Sequence, residues 1–171
     1  MFVQVELRYR ATVPTVAAML SDPAYGRSRV AAGGATANHI EIIGDSDGAF
    51  TVTTRRSMPT DQIPANIRAF VGTSLEVRQI EAWEAPQGDA RRGTVVVEIA
   101  GAPVRLTGTT SLVHDGVHGA VLTYAGEVKA GVPLFGAAIE DAAARAVRSA
   151  LEAEQQSGND WLARHPEGET V

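Results

Sequence analysis

The sequence contains no cysteine among its 171 residues. This absence excludes a disulfide framework, thiolate catalysis and cysteine-ligated zinc, and it is typical of proteins of the reducing cytoplasm. No run of about 18 apolar residues is present, so the sequence predicts no membrane-spanning helix. The N-terminal segment alternates apolar and polar residues, which is not the pattern of a signal or transit peptide. We therefore expect a cytoplasmic protein without integral membrane association.

The charged residues form no blocks, and the net charge of −5 is spread along the chain. A nucleic-acid-binding protein would concentrate basic residues on one face, so we expect no nucleic-acid partner. Phosphate loops, dinucleotide fingerprints and nucleophile elbows are absent from the sequence. His114 and His118 are separated by a turn that contains Asp115 and Gly116, so they do not form a helical metal-binding pair. The sequence predicts no cofactor and no metal, and it does not indicate an oligomeric state.

Hydrophobic periodicity predicts the order of the secondary-structure elements. Residues 2–10 alternate as a half-buried strand, and two short helices follow, with Thr12 and Asp22 as their N-caps. Residues 36–129 are typical of six further antiparallel strands, and residues 129–154 predict one long helix. That helix must cover one face of the sheet. The predicted fold is α+β: a helix-grip fold with a curved seven-stranded antiparallel sheet wrapped around the long C-terminal helix.

The chain shows no internal repeat and no low-complexity linker. We therefore expect a single domain over residues 1–171, with a core of about 2–157 and a C-terminal tail over 158–171. Trp161 and Leu162 in that tail are expected to pack back onto the body of the domain.

Several segments resemble the START-like superfamily, also called SRPBCC, and in particular a largely actinobacterial branch of it. They are ATVPTVAAMLSDPAY after the first strand, the connector RSMPTDQIPANIRAFVG, the pair EAW and GVPLFGAAIED, and the closing WLARHP. The resemblance implies a deep hydrophobic cavity between the sheet and the C-terminal helix. It also implies a bound lipid, sterol, polyketide or plant hormone, and enzymatic activity in a minority of members.

The long helix has alanine at many positions where a helix that only fills a core would have leucine. Leu134, Ala138, Ile139 and Ala142 recur at three- and four-residue spacing, and Phe135 extends the stripe. Under one interpretation the alanines form the wall of a pocket, with Leu134 and Phe135 at its entrance. Under the other they allow close helix–sheet packing and supply helix propensity.

The connector over residues 58–73 is long for a link between two strands. Ile63, Ile67 and Phe70 fall at helical spacing around Pro64, which indicates a short amphipathic helix or an ordered flap. Its functional interpretation is a lid over the mouth of the cavity. The alternative is a surface segment whose apolar side belongs to the core.

Strand alternation places several polar side chains on the inner face of the sheet. Arg56 and Glu81 are the charged ones, and a lone buried charge is costly. They therefore either pair or contact a polar ligand group, or they lie at the open end of the sheet in solvent. The predicted inward positions on three strands are Val52, Thr54 and Arg56, then Val77, Glu81 and Trp83, and finally Tyr124.

The leading hypothesis is a carrier that binds an apolar small molecule, such as a lipid, an isoprenoid or a polyketide-like compound, in the cavity. The alternative is a polyketide cyclase- or dehydratase-like enzyme that uses the same cavity, with Glu81 or Tyr124 as its catalytic acid–base group. A third hypothesis is a partner-binding module with a filled interior.

Overall fold

A computed structural model describes residues 1–60, 68, 72–116 and 119–166, without the side chains of residues 37 and 38. This part of the chain contains seven strands and three helices of at least eight residues. In chain order the elements are β1 Phe2–Tyr9, α1 Val13–Leu20, α2 Pro23–Ala32, β2 Thr36–Gly44, β3 Phe50–Pro59, β4 Ser74–Trp83, β5 Ala90–Ile99, β6 Val104–His114, β7 Ala120–Ala130 and α3 Gly136–Arg164.

All seven strands form one antiparallel sheet in the order β1-β7-β6-β5-β4-β3-β2. Strands that follow one another in sequence are neighbours, except that β1 pairs with β7. Helix α3 packs on β1 and β7, and α2 packs on both α3 and β2. The predicted helix-grip fold is thereby confirmed, including the two short helices after the first strand.

Each of the two short helices begins directly after a residue whose side chain caps its N-terminus. The Thr12 hydroxyl accepts a hydrogen bond from the Thr15 N–H, and the Asp22 carboxylate accepts one from the Ala24 N–H at 2.7 Å. Helix α2 ends at Gly33, and Gly34 follows in the left-handed region with φ of 72°. These caps fix the orientation of α2, whose inner side faces α3.

Two glycines face each other on neighbouring strands of the sheet. Gly108 of β6 and Gly126 of β7 are paired in register. A Cβ on Gly108 would lie 2.7 Å from the Cα of Gly126, a distance that real Cβ atoms essentially never show. The missing side chains therefore let the two strands approach each other closely under α3.

Helix α3 differs from its prediction at both ends. It begins at Gly136, where a Cβ would lie 2.9 Å from the Ala130 carbonyl oxygen, so Leu134 and Phe135 precede the helix. At its other end the helix continues beyond the predicted residue 154 to Arg164, and Leu162 is buried in the core. The inclusion of Leu134 and Phe135 in the helical stripe was wrong, because the chain turns there before the helix starts.

No helix in the described ranges is both long enough and apolar enough to cross a membrane.

Candidate binding site

The inner face of the sheet is closely packed at one end and only half-buried further along. At the packed end Leu7, Leu112 and Leu122 lie on adjacent strands and are fully buried. On the same face of β5 and β6, Val97 and Leu106 are paired in register but remain half-buried. Other half-buried apolar residues that pack against the core around them are Val5, Ile99, Ala142, Ala143 and Val147. The described chain thus covers this apolar surface only in part.

A buried polar cluster lies on the same inner face, built around Glu81 of β4. Arg29 of α2 donates to Glu81 Oε1 at 2.9 Å and to Glu154 Oε1 of α3 at 3.2 Å. The Tyr124 hydroxyl of β7 lies 3.2 Å from Glu81 Oε2 and 3.5 Å from Glu154 Oε1. Gln79 donates its side-chain amide to Glu81 Oε1 at 2.5 Å. Three side chains thus contact the Glu81 carboxylate, and Glu154 joins the cluster through Arg29 and Tyr124, so that the cluster links two helices to two strands.

Arg56 lies beside this cluster without an ion pair. Its Nη1 donates to the Gln79 side-chain oxygen at 2.8 Å, and the Gln79 side-chain nitrogen in turn donates to Glu81. No carboxylate of the described residues lies within 4 Å of the Arg56 guanidinium. The expectation that Arg56 and Glu81 lie in solvent at the open end is wrong for Glu81, which is 1% exposed, while Arg56 is half-buried.

Burial and neighbouring charges shift the pKa values of Glu154, Tyr124, Arg29 and Arg56. Burial raises the pKa of Glu154, an effect that the charge of Arg29 opposes and that of Glu81 reinforces. It also raises the pKa of Tyr124 well above its usual value, and Glu154 and Glu81 add to that shift. The pKa of Arg29 is nevertheless raised, because the two carboxylates outweigh its burial. The pKa of Arg56 is lowered by burial and by the repulsion of Arg29.

Two further tyrosines line the interior next to the cluster. The hydroxyl groups of Tyr9 and Tyr25 are buried, and neither has a hydrogen-bond partner in the described part of the chain. Each influences the ionisation of the other, although their separation lies outside hydrogen-bonding geometry. Burial raises both pKa values, and the charge of Glu154 raises them further. The two phenol hydroxyl groups are therefore buried polar groups without a hydrogen-bond partner among the described residues.

The remaining inward predictions are all buried, although Val77 pairs with half-buried Ile99 at the less closely packed end of the sheet. Val52, Thr54 and Val77 are buried on the inner face. Trp83 is buried and stacks on Phe50 with their ring centroids 6.1 Å apart. The structure therefore places Trp83 within a filled part of the core rather than beside the half-buried surface.

The predicted entrance and alanine wall are only partly assembled. Leu134 is 100% exposed and has a φ of 67°, while Phe135 is also exposed. On α3, Ile139 is buried and Ala142 is half-buried, whereas Ala138 is exposed. Ala138 does not face the sheet, because it lies about 100° around the helix from Ile139. Ile63, Ile67 and Phe70 of the predicted lid, and His118, fall outside the described residues.

Sequence reasoning missed Arg29 and Glu154, which hold the cluster together. Both carry a recognisable signal, since a charge interrupts an apolar helical face. Glu154 stands three residues after buried Leu151, and Arg29 stands four residues after buried Tyr25. Charged residues in such positions are buried only with partners, so each interruption indicates a buried partner without identifying it.

A cleft of about 660 Å³ lies elsewhere, between β1 and the end of α3. Its lining includes Gln155 and Asn159, which hydrogen-bond the backbone of Arg8 in β1 and of Arg10 just after that strand. These contacts cover part of the free edge of β1.

The family assignment agrees with this architecture. Residues 4–162 match the family model described as a protein of unknown function, DUF2505. The chain belongs to this family. No curated protein matches the chain significantly.

Solved structures extend the likeness beyond the DUF2505 family. The Zhui aromatase/cyclase from Streptomyces sp. R1128 aligns with a TM-score of 0.60 at 13% identity, over 100% of this chain and 99% of its own. A STAR-related lipid transfer protein from Xanthomonas axonopodis aligns with a TM-score of 0.54 at 17% identity, over 91% and 84%. Norcoclaurine synthase from Thalictrum flavum, in complex with dopamine and hydroxybenzaldehyde, gives 0.55 at 14%, over 98% and 88%. At these identities the likeness is one of fold, and the fold is START-like.

Proposed function

We propose that the protein is a carrier that binds an apolar small molecule, such as a lipid, an isoprenoid or a polyketide-like compound, between the sheet and α3. The observation that carries the proposal is the half-buried apolar surface around Val97 and Leu106. These side chains lie on the inner face of the sheet, where a protein without a ligand would be expected to fill the space. The absence of cysteine favours the cytoplasm as its place of action.

Hydrophobic burial would provide most of the affinity. Each methylene group that leaves water contributes about 0.8 kcal/mol, so micromolar binding requires an apolar body of about ten buried methylene groups or more. The polar cluster would orient the ligand, because it is the polar feature next to the apolar surface on this face. The fold relatives support this function, since one of them is named a lipid transfer protein and another an aromatase/cyclase. The connector at residues 58–73 remains our predicted lid.

Native mass spectrometry of the gently purified protein tests the proposal. We expect a fraction of the protein to carry a small molecule, and solvent extraction should yield an apolar compound. Ala142→Trp should reduce that fraction strongly while the protein stays folded, because half-buried Ala142 packs beside the apolar surface.

Ala137→Trp is the matched control. Ala137 is exposed on the same helix, about 140° around its axis from Ala142. An indole there should leave ligand occupancy unchanged. Equal occupancy in wild type and Ala142→Trp would contradict the site as placed here.

A cyclase- or dehydratase-like enzyme is a second candidate, favoured by one observation. The Tyr124 hydroxyl hydrogen-bonds Glu81 on the inner face, so an acid and a base lie side by side next to the proposed pocket. Turnover of a polyketide mimic, lost in both Glu81→Gln and Tyr124→Phe, would support it. Unchanged turnover in Glu81→Gln would exclude Glu81 as the acid–base group.

A further inference from the structure

Arg56 differs from the other arginines that reach the interior of the sheet or its rim. Arg29 has two carboxylate partners, Glu81 and Glu154. Arg91 donates to the backbone carbonyl groups of Gly48 and Glu84. Arg56 makes a single hydrogen bond in the described part of the chain, from one Nη1 to Gln79. A guanidinium carries five N–H donors, so most of those on Arg56 have no protein acceptor there.

The position of Arg56 links the polar cluster to the apolar surface. In the sheet register Arg56 lies opposite Val77, and Val77 lies opposite Ile99. Ile99 is half-buried and belongs to the partly covered apolar region of β5. A molecule lying along that region would therefore meet a guanidinium at the end of a short row of aliphatic side chains.

The distribution of hydrogen bonds in the cluster indicates the sign of the group that Arg56 would bind. Both carboxylates of the cluster already accept from Arg29, and Glu81 also accepts from Gln79 and Tyr124. Arg56 contacts the cluster only through the neutral amide of Gln79. Burial and the nearby positive charge of Arg29 lower the pKa of Arg56, and the charges of Glu154 and Glu81 offset that shift only in part. An anion at Arg56 would complete the compensation and satisfy the remaining donors.

We propose that Arg56 binds the head group of the ligand, and that the ligand is therefore an amphipathic oxyanion: an apolar body that ends in a carboxylate or a phosphate. This inference rests on the proposed carrier function and specifies the class of ligand. Gln79 acts as a positioning residue, because its side-chain oxygen holds one edge of the guanidinium while its amide is held by Glu81. The opposite edge of the planar fork is left for two parallel hydrogen bonds to the oxyanion.

Calorimetric titration with three probes that share one alkyl chain tests this assignment. The probes are decanoate, decyl phosphate and decanol, each added to the full chain after delipidation. We expect at least one anion to bind about 10-fold or more tightly than decanol, as charge-assisted hydrogen bonds contribute on that scale. The tighter of the two anions identifies the carboxylate or the phosphate as the natural head group.

Arg56→Gln should weaken the preferred anion by about 10-fold or more and leave decanol within about twofold. The matched control is Arg55→Gln, which removes the neighbouring arginine on the exposed outer face of β3 and should leave all three affinities unchanged. If the wild type bound decanol as tightly as both anions, the assignment to Arg56 would be overturned. The same conclusion would follow if Arg56→Gln weakened the binding of decanol and of the anion equally. In that event binding of decanol would still support the carrier. Failure of all three probes to bind would overturn the carrier function itself, together with the inference.

Discussion

Arg29 of α2 and Glu154 of α3 form an ion pair across the interior, with 3.2 Å between Nη1 and Oε1. The same guanidinium reaches Glu81 of β4 at 2.9 Å, so one arginine joins two helices and the centre of the sheet. Buried ion pairs contribute little net stability once desolvation is counted. Their loss is nevertheless costly, because an unpaired charge is left behind. We interpret Arg29 as the residue that fixes α2 against α3.

Arg29→Met should lower the free energy of unfolding by about 3–5 kcal/mol, because two buried carboxylates lose their partner. Urea denaturation followed by circular dichroism measures the change. Adding Glu154→Leu to Arg29→Met should recover part of the loss, since one unpaired carboxylate is then removed.

The matched control is Arg8→Met, which removes an exposed ion pair with Glu6. Its expected cost is about 0–1 kcal/mol. If Arg29→Met cost no more than Arg8→Met, the ion pair could not be fixing α2 against α3.

The tyrosines permit a comparison in which the same hydroxyl group is removed from two environments. Tyr124→Phe removes hydrogen bonds to Glu81 and Glu154, so we expect a loss of about 1.5–3 kcal/mol in the free energy of unfolding. Tyr9→Phe removes a buried hydroxyl without a partner in the described chain, and we expect it to be neutral or stabilising. Chemical denaturation of both variants measures the difference. Equal losses would show that the Tyr124 hydrogen bonds carry no special weight.

Much of the fold could be predicted from sequence because it follows from periodicity. Alternation in the strands and the caps at Thr12 and Asp22 give the order of elements, and that order leaves one helix to cover one sheet. The same alternation correctly placed Glu81 and Tyr124 on the inner face. These are local properties of the chain, so they need no knowledge of distant partners.

The polar cluster could be predicted only in part, because its partners are distant in sequence. The hydrogen bond between Arg29 and Glu154 spans 125 positions, and nothing local to either residue identifies the other. The start of α3 was misplaced for a different reason. Leu134 fits the apolar period, but its φ of 67° takes it out of the helix, and periodicity does not detect such a turn.

Gly158 of α3 lies where two aromatic rings approach the helix. A Cβ there would lie 2.5 Å from Tyr9 Cε1 and 3.1 Å from the Tyr25 hydroxyl oxygen. Gly158→Ala should therefore lower the free energy of unfolding by about 1–3 kcal/mol through overpacking. Helix propensity alone would raise it by about 1 kcal/mol, so even the sign is informative.

The background variants at Tyr9 test the cause of that loss. The penalty of Gly158→Ala should persist in Tyr9→Phe, which keeps the ring atom that the new methyl group meets. It should shrink in Tyr9→Leu, which lacks that atom. If Gly158→Ala stabilised the protein in the wild-type background, α3 would lie further from the Tyr9 ring than the 2.5 Å between the new Cβ and Tyr9 Cε1 implies.

Alkaline conditions should destabilise the protein steeply, because all three of its tyrosines are buried. Burial raises the pKa of each of them, Tyr9, Tyr25 and Tyr124, in the folded state. In the unfolded chain each titrates near its usual pKa of about 10. Above that pH the unfolded state loses protons that the folded state keeps, so the unfolded state is favoured. The free energy of unfolding should fall by about 1.4 kcal/mol per pH unit for each tyrosine, or about 4 kcal/mol for three.

Urea denaturation at a series of pH values above about 10 measures this slope, and absorbance of tyrosinate near 295 nm reports ionisation directly. We expect tyrosinate to appear only as the protein unfolds, in one cooperative step. Tyr9→Phe should reduce the slope by about one third, since one of three linked protons is removed. Tyrosinate that forms while the circular dichroism spectrum is still native would contradict the burial of these phenols. The slope of the free energy of unfolding against pH therefore gives the number of tyrosines that stay protonated in the folded state.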